Sequence, residues 1–142
     1  MSYSLAFSEA VFILIFVGSK VEQGLYEFIP TGKISQELDI PPSTAGMILR
    51  RLNRSGIIET REGANGGIRL AIPPEKLTVF AIFEAIEQER PLFQINQHPK
   101  LTGEKAGKAQ QAMLQLFNTA ESAMKAELKR ITIRDLMNKI SE

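Results

Sequence analysis

Residues 31–72 read TGKISQELDIPPSTAGMILRRLNRSGIIETREGANGGIRLAI, the most strongly patterned part of the chain. Thr31–Leu38 has Ile34 and Leu38 on one helical face, with Thr31 in place to cap it. Asp39-Ile40-Pro41-Pro42 reads as a turn, because proline stops one helix and is tolerated in the first turn of the next. Ser43–Ser55 reads as a second helix that stops at Gly56. Ile57–Arg61 and Ile68–Ile72 then flank a Gly/Asn-rich loop, and the second run alternates, with Ile68, Leu70 and Ile72 on one face and Arg69 on the other. Two short strands around such a loop make a hairpin.

Helix, turn, helix and two-stranded wing is the order of a winged helix-turn-helix. The second helix carries the division that a groove-reading helix needs. At ~100° per residue, Ala45, Ile48, Leu49 and Leu52 gather on one side. Ser43, Met47, Arg50 and Arg54 gather on the other, with Arg51 on the flank and Thr44 beside Ser43 at the entering end. Guanidinium forks suit phosphate oxygens and guanine edges. The small wing loop lets its backbone approach a phosphate or a minor groove closely, and Arg61 and Arg69 flank it.

Outward from this centre, residues 4–22 read as a helix that is apolar almost all round, hence buried on several sides and shared with a partner subunit. Residues 24–30 break that pattern. On the other side, Pro73-Pro74 ends the hairpin, and Thr78 is an N-cap for a helix over Val79–Gln88 with Val79, Ile82, Phe83 and Ile86 as its stripe. Glu89–Thr102 has two prolines and no period, so it reads as a connecting loop. Gly103–Ile131 reads as one long helix with an apolar stripe running from Ala106 through Met113, Leu116, Phe117 and Met124 to Ile131. At about 1.5 Å per residue it spans roughly 40 Å, too long for one small domain to cover, so a second copy is expected on it. Thr132-x-x-Asp135 opens a last short helix in capping-box style.

Composition narrows the class. The chain has 142 residues, 17 Lys+Arg against 16 Asp+Glu, one His and no Cys. Without cysteine there is no disulfide, no Cys nucleophile and no thiolate-held metal or iron–sulphur centre. The longest apolar run, Ala10–Val17, falls far short of the ~18 residues of a membrane helix. No Lys or Arg precedes Lys20, so the start does not read as a signal peptide, and a cytoplasmic protein is expected. The Gly63-x-x-Gly66-Gly67 run lacks a following Lys-Ser/Thr and leads into a strand, so it is no nucleotide loop. His98, the lone imidazole, reads as an exposed loop residue. Phe93, Ile95 and Leu92 read as loop-to-core packing. No serine has a placeable His/Asp partner, and no enzyme is expected.

The chain resembles the Rrf2 family of bacterial transcription regulators. The resemblance rests on Ile34–Pro41 (ISQELDIP), on Ile48-Leu49-x-x-Leu52-x-x-x-Gly56-Ile57-Ile58, on Gly63-x-x-Gly66-Gly67-Ile68-Arg69-Leu70-Ala71, and on Leu77-Thr78 through Ile82, Ala85, Ile86 and Glu87. It implies a homodimer on a partly palindromic operator of double-stranded DNA, with recognition helices in major grooves and wings along minor grooves. Carried over by position, the DNA-contact candidates are Ser43, Thr44, Met47, Arg50, Arg51 and Arg54, with Gly63, Asn65, Gly66 and Gly67 in the wing; Arg61 joins them if it turns toward DNA. Three departures stand out. The cysteine ligands that many members carry in the stretch equivalent to Glu89–Gly103 are absent. Glu62 stands directly before the first wing glycine, where the family often has Arg. Thr44, Ala45 and Gly46 replace larger residues at the start of the recognition helix.

The expected architecture is thus mainly α with a small β-hairpin wing: a winged helix-turn-helix over residues 1–88, a connecting loop over 89–102, and a dimerisation helix with a short terminal helix over 103–142. The expected function is a cluster-free, sequence-specific transcriptional regulator, a repressor, open to an unidentified small-molecule or protein effector. The alternative from another class is a winged helix used for protein–protein docking without DNA.

Overall fold

The computed structural model describes residues 3–88, 90–95 and 103–141. Six helices and one hairpin follow in order: α1 (Leu5–Glu22), α2 (Thr31–Leu38), α3 (Pro42–Arg54), β1 (Ile58–Arg61), β2 (Gly67–Leu70), α4 (Val79–Glu87), α5 (Glu104–Arg130) and α6 (Ile133–Ile140). His98 and most of the expected connecting loop lie outside the described residues. No described helix is long and apolar enough to cross a membrane.

The helix-turn-helix forms where the prolines dictate. Pro42 occupies the first turn of α3, where its missing N–H costs nothing. Thr31 does not cap α2. It is the first helical residue, Pro30 takes the cap position, and no side chain supplies a capping bond. At the other end, Asp39 turns the chain with a left-handed φ of 53°, and the N–H groups of Asp39 and Ile40 both reach the Ser35 carbonyl. The apolar faces of α1, α2, α3 and α4 meet around Ile13, Leu14, Ile34, Ile48, Leu52, Ile82 and Ile86, all fully buried.

The hairpin is antiparallel, with Ile58 opposite Leu70, Glu59 opposite Arg69, Thr60 opposite Ile68 and Arg61 opposite Gly67. A feature without a local signal anchors it. Ile29, just ahead of α2, pairs with Ile68 through two backbone hydrogen bonds of 2.8 and 2.9 Å. The wing is therefore bonded to the start of the helix-turn-helix and does not hang from its own turn.

Beyond the wing, Thr78 accepts from the Ala81 N–H as the cap of α4, and Thr132 with Asp135 closes a complete capping box on α6. The two caps are neighbours, for Thr78 and Thr132 form a backbone bridge. This sets the C-terminal end of α5 beside the start of α4, and the two helices pack together. Not one residue of the 27-residue α5 is buried. Its stripe is left open, with Leu116 at 63% exposure, and α1 presents Phe12 at 64%. At the far end of α4, Gln88 holds a left-handed φ of 50° that glycine adopts without strain. Gln88→Gly is expected to raise unfolding stability by about 0.5–1 kcal/mol. Urea denaturation checks this, and an unchanged or lowered midpoint contradicts it.

Candidate nucleic-acid interface

The division of α3 into two faces holds in three dimensions. Ala45, Ile48, Leu49 and Leu52 are buried, and Ser43, Arg50, Asn53 and Arg54 are exposed. Thr44 and Met47 are half-buried, Met47 packing against the core. Neither Arg50 nor Arg54 makes a hydrogen bond or ion pair with any described residue. The missing side chain at Gly46 leaves room for Arg50, whose Nη1 lies 3.4 Å from where a β-carbon would stand.

Three other arginines of this region are already engaged. Arg51 Nη1 donates to the Ile86 carbonyl at the end of α4, at 2.8 Å. Arg61 Nη2 donates to Glu27 Oε1 at 3.0 Å, and its guanidinium lies 4.0 Å from the centre of the Phe28 ring. Arg69 pairs with Glu59 at 3.0 Å and covers the same ring at 4.4 Å. Two guanidiniums thus lie within cation–π range of the Phe28 ring while their donors are paired with Glu27 and Glu59.

Strand alternation then sorts the wing. Glu59, Arg61 and Arg69 share one face of the hairpin, whereas Thr60 and Ile68 face the opposite way. That opposite face, with α2 and α3, walls a cleft of about 1050 Å³ lined by Arg50, Asn53, Thr60 and Glu62 among others. Thr60 Oγ1 donates to Asn53 Oδ1 at 3.2 Å across it. So Glu62 looks into the cleft beside the recognition helix, and Arg61 looks away. Asn53 escaped notice in the sequence, although its spacing of three from Arg50 puts it on the same face.

The wing glycines are required by the fold itself. Gly67 has φ of 145°, and a β-carbon there would fall 2.1 Å from the Ile29 carbonyl oxygen. One at Gly66 would fall 2.2 Å from the Arg61 carbonyl oxygen. Both residues are buried, whereas Gly63 and Asn65 are exposed at the loop tip.

On the far side of α4, Glu87 is 1% exposed. Its Oε1 accepts from the Ser4 N–H and hydroxyl, and its Oε2 faces Arg90 Nη2 at 3.2 Å without hydrogen-bond alignment. Tyr3 donates to Glu121 at 3.0 Å, and burial followed by that bond pushes its phenol up to about 12. Phe93 stacks on Phe117 of α5 at 4.5 Å.

A family model, Rrf2, described as an iron-dependent transcriptional regulator, matches residues 4–139. The chain belongs to the Rrf2 family. As an Rrf2 protein it is a transcriptional regulator with a winged-helix fold, not an enzyme. It is 23% identical to YwnA of Bacillus subtilis over 105 residues, which is 74% of this chain and 78% of that one. It is 32% identical over 62 residues to the HTH-type transcriptional regulator IscR of Cereibacter sphaeroides, covering 44% of this chain but only 40% of that relative. The solved structure of CymR, the global cysteine regulator of B. subtilis, matches 98% of each chain with a TM-score of 0.72 at 18% identity. Among the described residues the iron in the family's description finds no fitting set of donors. The chain has no cysteine. Among the described residues no three His, Cys, Asp or Glu side chains gather into a metal site, and the buried Glu87 carboxylate is taken up by Ser4 and Arg90.

Proposed function

We propose that this Rrf2 protein binds double-stranded DNA in the cytoplasm as a homodimer, and represses transcription by occupying a partly palindromic operator and blocking polymerase. The observation that carries the reading is the pair of guanidiniums, Arg50 and Arg54, without a partner among the described residues, on the outward face of a helix whose inner face is buried. Ser43, Thr44 and Met47 at the entering end of that helix, and Gly63 and Asn65 at the wing tip, complete the candidate contacts. The homodimer is supported by the open stripe of α5 and by Phe12 and Leu5 on α1, apolar surface that a second copy would cover. Residues 1–88 then form the reading unit and residues 103–142 the dimerisation arm. Two reading heads related by a two-fold meet half-sites about 34 Å apart. An effector of unidentified chemistry, acting through α5, would alter the spacing of the heads without dissolving the dimer.

Selection of bound fragments from random duplex DNA, followed by a footprint, tests this: an enriched palindrome is expected, and no enrichment rejects it. Arg50→Ala and Arg54→Ala are each expected to weaken operator binding by ~1–3 kcal/mol if a base edge is read, or to lower the salt slope by about one if a phosphate is met. Unchanged binding in both variants would remove this face from the interface. The carboxylate of Glu62 in the cleft favours a second reading, a winged helix that docks a protein. Salt separates the two, because counterion release makes DNA affinity fall steeply with ionic strength.

A further inference from the structure

The last turn of any helix carries carbonyls with no N–H partner of its own, and the negative end of the helix dipole lies there. In α4 one of these, the Ile86 carbonyl, is satisfied from outside by Arg51 of the recognition helix at 2.8 Å. The next residue, Glu87, is buried and holds the start of α1 through Ser4. The one after, Gln88, sits in the left-handed region. A cationic fork from α3 thus clamps the strained end of α4, the point where the chain leaves the reading unit toward α5.

We infer that Arg51 is a positioning residue, fastening the recognition helix to the end of α4 so that α4 fixes the angle at which α3 meets DNA. The inference rests on the DNA-binding reading above and adds a role that a phosphate contact would not have. A phosphate ligand strengthens binding to every duplex and carries one released counterion. A clamp carries no counterion and matters only where orientation matters, on the operator.

The test uses the full chain, the selected operator and a scrambled duplex of equal length, well below the melting temperature of each variant. Arg51→Met keeps the aliphatic stem and removes the donors, and Arg51→Lys restores one donor. Arg51→Met is expected to lose roughly tenfold in operator affinity, a fold-change typical of one charge-assisted hydrogen bond. Its affinity for the scrambled duplex and its salt slope are expected to stay those of the wild type, and Arg51→Lys to recover most of the loss. A salt slope reduced by about one, with both affinities falling together, would make Arg51 a phosphate ligand and overturn the inference. Operator binding by Arg51→Met equal to wild type would overturn it too. A wild-type protein that selects no duplex would reject the DNA-binding reading itself, an outcome distinct from either.

Discussion

Gly67→Ala is expected to destabilise the protein by about 3–4 kcal/mol and to abolish operator binding with it. Two independent causes act at this position. A β-carbon would lie 2.1 Å from the oxygen and 2.3 Å from the carbon of the Ile29 carbonyl, both rigid backbone atoms. The φ of 145° is one that only glycine holds readily. Relief needs the Ile29–Ile68 bridge to open, which frees two buried backbone groups and lifts Ile68, one of the fully buried side chains. Gly63→Ala is the control. It also has positive φ, but nothing lies within 4 Å of its added carbon, so about 1 kcal/mol is expected. Urea denaturation of the two variants side by side decides the matter: equal midpoints would mean that the approach to Ile29 carries no weight.

Glu62→Arg is expected to tighten operator binding roughly tenfold at low salt and to steepen the salt slope by about one. On the proposed reading, with α3 in a major groove, the sugar–phosphate strand bordering that groove would pass between the recognition helix and the wing, through the cleft that Arg50 and Glu62 line. A carboxylate there repels the strand, and a guanidinium would neutralise one phosphate. Glu62→Gln removes the repulsion without adding a cation, so a smaller gain with an unchanged slope is expected. The side chain is exposed and has no ion pair with a described residue, so neither change should disturb folding. Titration against salt from about 50 to 200 mM is the measurement, and identical affinities for all three proteins would place the DNA backbone elsewhere.

Much of the fold was legible because its signals are local. The prolines at 41 and 42, the stop at Gly56, the Thr78 cap and the Thr132–Asp135 capping box all lie within a few residues of what they control. Each reappears in the structure within a residue or two of its expected place. The inner face of α3 was equally legible, since a 3.6-residue period is a property of the helix alone. Thr31 shows the limit: a good capping residue became the first helical residue because Pro30 fixed the entry ahead of it.

The fate of the arginines was not legible. Arg50, Arg51, Arg54, Arg61 and Arg69 look alike in a charge count, yet Arg51 is claimed by the Ile86 carbonyl and Arg61 and Arg69 by Glu27, Phe28 and Glu59. Glu27 and Phe28 stand about forty residues earlier and meet the wing only because Ile29 pairs with Ile68, a contact with no sequence period. The facing of Arg61 and Glu62 follows from strand alternation, but only once the register is known. Gly67 helps fix that register by admitting the Ile29 backbone.

The bridge between Thr78 and Thr132, the packing on α4 and the Tyr3–Glu121 bond hold α5 along its C-terminal half and leave its first turns as an overhanging arm. No residue in those first three turns is buried. A bend of ~5° near Glu121 sweeps the free tip, roughly 25 Å away, through about 2 Å, so small adjustments there are magnified at Glu104. The same attachment makes the outer turns a natural place to splice: whole turns can be added or removed there without deleting a buried residue.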